Sequence, residues 1–234
     1  MKTALVTGSN KGIGFEISKK LLKEGYHVLA GARDETRGRK AITELATYGP
    51  VDLIKIDTSH LESIKKAAER IHNEFKDINL LVNNAATPGD LFTKRSVWDF
   101  TRDELLETYT VDFLGPFDLS KELLPLLIEN HGKIVNVTIP IEPWSFPNIS
   151  PFAYQTGKAP LNIMTKYWGV NFDNLKLPVQ MFAVTPGAVS TDLNHHTTEE
   201  GVRTPKEAAE WIVGLALDGK NHNGQIINND SPLK

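Results

Sequence analysis

Ala4-Leu5-Val6-Thr7-Gly8-Ser9-Asn10-Lys11-Gly12-Ile13-Gly14 decides how the rest of the chain reads. Ala4 to Val6 is a short apolar run of the kind a buried strand shows. The run breaks at glycine and resumes as an amphipathic helix, with Ile13, Ile17 and Leu21 four residues apart. Strand, glycine-rich turn and helix in that order aim backbone N–H groups and a helix N-terminus at a phosphate. The spacing is Gly-x-x-x-Gly-x-Gly, neither Gly-x-Gly-x-x-Gly nor a Walker loop, and an ordinary turn is the competing reading.

Downstream of that turn, apolar runs and helical stripes alternate. Residues 26–30 read as a second strand, 34–45 as a polar helix and 51–56 as a third strand. Leu61, Ile64, Ala68, Ile71 and Phe75 mark a helical stripe, and residues 78–82 form a fourth strand running into Asn83-Asn84-Ala85-Ala86. A long helix over 102–129, rich in leucine toward its end, precedes a fifth strand at 133–137. The proline-bearing stretch 139–150 is irregular. A helix over 151–174, a sixth strand at 180–184 closed by Pro186-Gly187, a helix over 205–217 and a short strand at 225–228 complete the order. No repeat or linker interrupts it, so one domain spanning 1–234 is expected.

Strands alternating with helices imply a parallel sheet covered on both faces, with right-handed crossovers. The expected fold class is therefore α/β, a Rossmann-like doubly wound parallel sheet of about seven strands. The first glycine turn then lies at the carboxyl edge, where open sheets bind dinucleotides. A closed eight-stranded barrel is the competing architecture, and the strand count favours the open sheet.

The totals narrow the function classes. A chain of 234 residues that is 40% hydrophobic can bury a sizeable core. Its formal charge of -3 argues against a nucleic-acid or membrane-surface partner. Without cysteine there is no disulfide, no thiolate catalysis and no zinc–thiolate site. No signal peptide is visible, and no apolar run approaches the roughly 20 residues of a transmembrane helix. A soluble cytoplasmic protein is the expectation.

Four motifs stand in register along the chain: Thr7-Gly8-x-x-x-Gly12-x-Gly14, Asn83-Asn84-Ala85, Tyr154-x-x-x-Lys158 and Pro186-Gly187. Each is weak alone. Together, in this order and spacing, they resemble the short-chain dehydrogenase/reductase family over essentially the whole chain. The run Gly8–Gly14 with Ala32-Arg33-Asp34 and the later Pro186-Gly187-Ala188-Val189-Ser190-Thr191-Asp192 look most like its carbonyl-reductase branch.

The end of the second strand bears on which dinucleotide is bound. An NAD site usually offers a carboxylate there for the ribose hydroxyls. This chain has Ala32 followed by Arg33, and Lys11 lies in the glycine turn. A carboxylate would repel a 2′-phosphate and a guanidinium can grip it, so NADP(H) is the expected cofactor, unless both cations are merely solvated. The resemblance also implies cofactor roles for Gly8, Asn10, Gly12, Ile13, Gly14, Ala85, Pro186, Gly187 and Val189. It further implies adenine contact by Asp57, a place at the cleft edge for Asn83, and a hold on the nicotinamide carboxamide by Thr191. A plain helix N-cap is the other reading of Thr191. Ala86 replaces a usual glycine.

The chemistry is expected at Tyr154 and Lys158, which also touch cofactor. Four residues apart on a helix they share a face, so the ammonium can lie near the phenol. A phenol's ordinary pKa of about 10 is lowered by a neighbouring cation and by oxidised nicotinamide. In reduction the same phenol gives its proton to a carbonyl oxygen. The family's serine position falls on Ile139, which has no hydrogen to donate. Thr138 beside it or Ser145 in the following loop could substitute. Asp112 stands where the family has an asparagine, and an inward carboxylate would pair with Lys158 and weaken its effect on Tyr154.

His195 and His196 carry no metal reading, because adjacent residues point apart and no third ligand is spaced to join them. Residues 193–204 are expected to flank the substrate as a flap. Trp98, Trp144 and Phe146 are candidate pocket aromatics, with core packing or an interface as the alternative. The expectation is an NADPH-dependent oxidoreductase that reduces a small or medium carbonyl compound or oxidises the alcohol. It would form a homodimer or homotetramer through its longest helices, helped by the run 119–128. An NADP(H)-binding sensor with little catalysis is the second reading, motivated by the changed serine and asparagine positions. A sugar-nucleotide epimerase is disfavoured by the glycine spacing.

Overall fold

The computed structural model describes residues 1–89, 96–141, 151–194, 196, 198 and 201–229. Chain order is β1 (Thr3–Thr7), α1 (Gly12–Lys23), β2 (His27–Ala32), α2 (Glu35–Leu45), β3 (Val51–Lys55), α3 (Leu61–Glu74) and β4 (Ile78–Asn83). Then come α4 (Arg102–Tyr109), α5 (Gly115–Glu129), β5 (Lys133–Val137), α6 (Phe152–Asn174), β6 (Gln180–Thr185), α7 (Pro205–Leu217) and β7 (Ile226–Asn228). The seven strands form one sheet in the order β3-β2-β1-β4-β5-β6-β7, and every pairing is parallel. This is the Rossmann-like doubly wound sheet that the sequence predicts. The strand order reverses between β1 and β4, which opens a crevice at their carboxyl ends.

Period-two alternation along the strands assigns the two faces. Leu5, Leu29, Leu81, Ile134 and Met181 point to one side, where α3, α5 and α6 cover them. Ala4, Val6, Val28, Val82, Val135 and Val184 point to the other, against α1 and α7. Leu119, Leu123 and Leu127 of α5 are wholly buried in the first of these layers. The leucine run 119–128 is therefore core on that face. The exposed apolar stripe lies on α6, at Ile163, Tyr167 and Val170, spaced by four and three residues.

The helix expected over 102–129 is not uniform. Between α4 and α5 it widens into a π turn at Thr110–Leu114, closed by the Gly115 amide donating to the Thr110 carbonyl. Pro116 supplies a cause, since it has no N–H to give the carbonyl of Asp112. Gly115 fits here because a Cβ would lie 2.5 Å from the Thr58 carbonyl oxygen. Wide turns of this kind concentrate at functional sites, and this one carries Asp112.

Strand ends also run further than the apolar pattern suggests. β2 reaches Ala32, so Arg33 is the first residue past the sheet, and β4 takes in Asn83. Among the described residues, no helix is long and apolar enough to cross a membrane.

Candidate active site

A cleft of about 530 Å³ opens at the carboxyl ends of β1, β2 and β4. Its floor begins with the glycine turn. Gly8 has φ +70°, a backbone conformation that favours glycine, and a Cβ on Gly14 would sit 2.4 Å from the Gly8 carbonyl oxygen. Gly14 thus lets α1 press onto the turn, while Gly8, Asn10, Lys11, Gly12 and Ile13 line the cleft. At the N-terminus of α1, Lys11 makes no side-chain cap, whereas Asp34 caps α2 by accepting from the Arg37 amide at 2.9 Å. The first-turn N–H groups of α1 therefore face the cleft without a side-chain acceptor from Lys11, a fit for a phosphate.

Thr7 holds the turn to the next strand. Its hydroxyl accepts from the amides of Asn84 and Ala85, each at 3.0 Å, and Asn84 Nδ2 donates to the Thr7 carbonyl at 2.9 Å. Asn84, Ala85, Ala86 and Thr87 form that wall. Asn83 does not join them. Its side chain turns into the core, where Nδ2 donates to Asn136 Oδ1 at 2.8 Å and to Ser120 Oγ at 3.2 Å. The expected cleft-edge role of the Asn83 side chain is corrected accordingly.

Three cations, Lys11, Arg33 and Arg37, mark one end of the cleft. Each has a carboxylate neighbour. Lys11 is bonded to Asp192, which also accepts from His196 Nε2 at 2.6 Å when that nitrogen carries the proton. The Lys11 bond comes first among the causes holding the Asp192 carboxyl below its usual range; slight burial opposes it, and His196 adds to it. Arg33 lies near Asp57. Partial burial pushes the Asp57 carboxyl up, but bonds from Ser59 at 2.6 and 3.0 Å, with His60 and Arg33 nearby, hold it below its usual range. Arg37 stands 3.9 Å from Asp34. Arg37 carries no motif of its own in the sequence; its one cue is that it follows Arg33 by four residues, in the first turn of α2.

Tyr154 and Lys158 wall the other end, on the first turns of α6. Gly157 allows α6 to lie against α4, since a Cβ there would meet the Thr108 carbonyl oxygen at 2.9 Å. Lys158 is buried; its Nζ donates to the Val137 carbonyl at 3.2 Å and lies 5.7 Å from the centre of the Tyr154 ring. Beneath them Asp112 is wholly buried, with Oδ1 3.7 Å from Lys158 Nζ and accepting from the Thr87 amide at 3.0 Å. Burial raises its carboxyl to about 6, against the opposing pull of Lys158 and the Thr87 bond. Tyr154 keeps an accessible edge at the cleft although protein packs densely around it. Burial first, and the charge of Asp112 second, push its phenol above its ordinary value. The open edge tempers the burial contribution, and both causes act in one direction.

Several expectations are corrected here. The Thr138 hydroxyl donates to Asn162 Oδ1 at 2.6 Å and is buried between β5 and α6, so Thr138 does not face the cleft. Pro186, Gly187 and Val189 do not line it either. Val189 is buried, and the Arg203 guanidinium covers the turn, donating to the Pro186 carbonyl at 3.3 Å. Thr191 does line the cleft, opposite Gly12. Trp98 is 81% exposed and lies away from it. Ser145, Trp144, Phe146 and His195 lie outside the described residues.

Comparison with known proteins identifies the family. The family described as short chain dehydrogenase matches residues 2–201. The chain belongs to the short-chain dehydrogenase/reductase family. It is an oxidoreductase of that family, and its sequence resemblance to carbonyl reductases holds. Carbonyl reductase [NADPH] 1 of Rattus norvegicus is 36% identical over 92% of this chain and 90% of that protein. A 3-oxoacyl-[acyl-carrier-protein] reductase of Aquifex aeolicus is 33% identical over 88% of this chain and 81% of its own length. The crystal structure of NADPH-bound carbonyl reductase from chicken fatty liver superposes with a TM-score of 0.85, covering 100% of this chain and 98% of that one. At 21% identity, that likeness speaks for the fold.

Proposed function

We propose that this short-chain dehydrogenase/reductase is an NADPH-dependent reductase of a small or medium carbonyl compound, able to run in reverse on the alcohol, with Tyr154 as proton donor and acceptor. The observation that carries the reading is the placement of Tyr154 over Lys158 at one end of a cleft whose other end holds Arg33 and Arg37. The glycine cradle and the α1 N-terminus fit a pyrophosphate between those ends. When bound, the nicotinamide supplies the hydride. Tyr154 gives its proton to the carbonyl oxygen, and the causes that raise its pKa keep that proton in place until then. Lys158, held to the Val137 carbonyl, stabilises the phenolate left behind.

Arg33 and Arg37 support NADP(H) over NAD(H), because a 2′-phosphate can displace their weaker carboxylate contacts. Lys11 joins them only when it leaves Asp192. The exposed stripe on α6 supports a homo-oligomer built through that helix. A second reading, cofactor binding with little turnover, is favoured by one observation: Thr138 is committed to Asn162 and does not replace the family's serine.

The test is NADPH oxidation with aldehydes, ketones and quinones, beside Tyr154→Phe. The variant should lose roughly 100-fold or more in kcat while still binding NADPH. Undiminished turnover would sink the role of Tyr154, and tight binding with no turnover on any substrate would favour the second reading. Arg33→Ala should weaken NADPH far more than NADH, and equal losses refute the cofactor assignment.

A further inference from the structure

The family pattern has an asparagine where this chain has Asp112, and the geometry gives that change a consequence. Resting on the role of Tyr154 above, we propose that Asp112 is a positioning residue that tunes the Tyr154 phenol: paired with Lys158 beneath the cleft, its carboxylate offsets the ammonium and keeps Tyr154 protonated at a pH where a lone lysine would have ionised it. The chain is thereby set to deliver a proton to a carbonyl across a wide pH range. The carbonyl–alcohol equilibrium is unchanged. What moves is the pH at which each form of Tyr154 is populated.

The arrangement is enclosed. Asp112 is wholly buried, so its charge acts on its neighbours with little screening by water. One oxygen, Oδ1, lies 3.7 Å from Lys158 Nζ and accepts from the Thr87 amide at 3.0 Å. The other, Oδ2, has no hydrogen-bond partner among the described residues. Among the described residues, the charged and titratable groups facing the pair are few. Lys158 and Tyr154 come from α6, Glu107 from α4, the Thr87 amide from the loop after β4 and the Val137 carbonyl from β5. Glu107 adds negative potential and acts in the same direction as Asp112 on any nearby acid. Among the described residues, Lys158 is the cation in this group, and Asp112 is the anion in contact with it.

In reduction, hydride adds to the carbonyl carbon, the Tyr154 O–H bond breaks, and the proton passes to the carbonyl oxygen. The product is the alcohol, with phenolate at Tyr154. A lone ammonium would stabilise that phenolate in the resting protein as well and deplete the acid form. Paired with Asp112, Lys158 stabilises the phenolate less, so the acid form persists to higher pH. Alcohol oxidation, which starts from the phenolate, is pushed to higher pH by the same pairing.

Ultraviolet difference titration of tyrosinate in the protein without cofactor reads this directly, with Tyr154→Phe subtracted to isolate one phenol. Asp112→Asn should lower the Tyr154 midpoint by about 1 to 3 pH units. The alkaline limb of carbonyl reduction and the acid limb of alcohol oxidation should descend with it. Asp112→Ser, also neutral, should move them in the same direction. Midpoint and limbs unchanged in a folded variant would overturn the proposal, as would a Tyr154 midpoint in the unaltered protein at or below the ordinary phenol value. Full turnover by Tyr154→Phe would instead overturn the function proposed above, leaving the titration to judge Asp112 alone.

Discussion

Asp112→Asn should make this protein more stable, and by an amount that depends on pH. A carboxyl that ionises at about 6 when folded and at 3.8 when solvated costs the folded state about 3 kcal/mol at neutral pH, at ~1.4 kcal/mol per pH unit. The sign follows from proton binding. Between those two values the folded chain holds the Asp112 proton more tightly than the unfolded chain, so this group's contribution to stability is full below 3.8 and is lost as pH rises through about 6. Asparagine resembles the protonated carboxyl, can still accept from the Thr87 amide, and never ionises. The attraction to Lys158 is already contained in the carboxyl's folded-state value, so it is not subtracted again. The variant's advantage should be near zero below about pH 3 and grow to about 3 kcal/mol above pH 7, or about 6–12 °C in Tm for a chain of this length. Urea unfolding of both proteins at several pH values measures it. An advantage independent of pH, or a variant less stable at pH 7, would refute the reasoning.

Three further outcomes are expected. Arg37→Ala should weaken NADPH roughly 10-fold while leaving NADH within about two-fold, measured by fluorescence titration; a shared loss would mean that Arg37 supports the fold of α2 instead. Asp192→Ala releases Lys11 for the cofactor and should tighten NADPH about two- to five-fold, an effect that fades with added salt. Weaker binding in that variant would show that the Asp192 bond positions the loop. Thr138→Val removes a buried bond to Asn162 and should cost about 1–2 kcal/mol of stability with kcat retained. A collapse of kcat in the folded variant would return Thr138 to the catalytic site.

The fold was legible because its signals are repetitive. Apolar strands, helical stripes and four motifs in register each point to one parallel sheet, and the first glycine turn locates its ligand edge. Side-chain direction at strand ends was less legible, though a cue existed. Alternation along β5 puts Ile134, Asn136 and Thr138 on one face, toward α6, and Asn136 indeed donates to Thr165 of that helix at 2.9 Å. The same rule places Asn83 with Leu81, facing α5. Both residues are thereby turned away from the cleft. Other features had no local signal. The pairing of Lys11 with Asp192 joins residues 181 positions apart, and only the folded loop after β6 brings them together. The π turn at Asp112 combines a proline that withholds a donor with a glycine fitted against Thr58, a conjunction that no periodicity reports.

The two consequences assigned to Asp112 test one charge in two independent ways. Stability reads what it costs to ionise the carboxyl in the folded chain; the tyrosinate titration reads what the ionised carboxyl does to its neighbour. If Asp112→Asn gains stability with the expected pH dependence but leaves Tyr154 unmoved, the carboxylate is charged yet electrically remote from the phenol, and the tuning role fails. If Tyr154 moves while stability does not, the carboxylate is better solvated than its burial implies, and Oδ2, which has no partner among the described residues, is hydrated in solution. Only both together support a buried negative charge kept next to Lys158 at the expense of stability. In that case Asp112 changes how the site handles protons without touching the glycine turn proposed to cradle the cofactor.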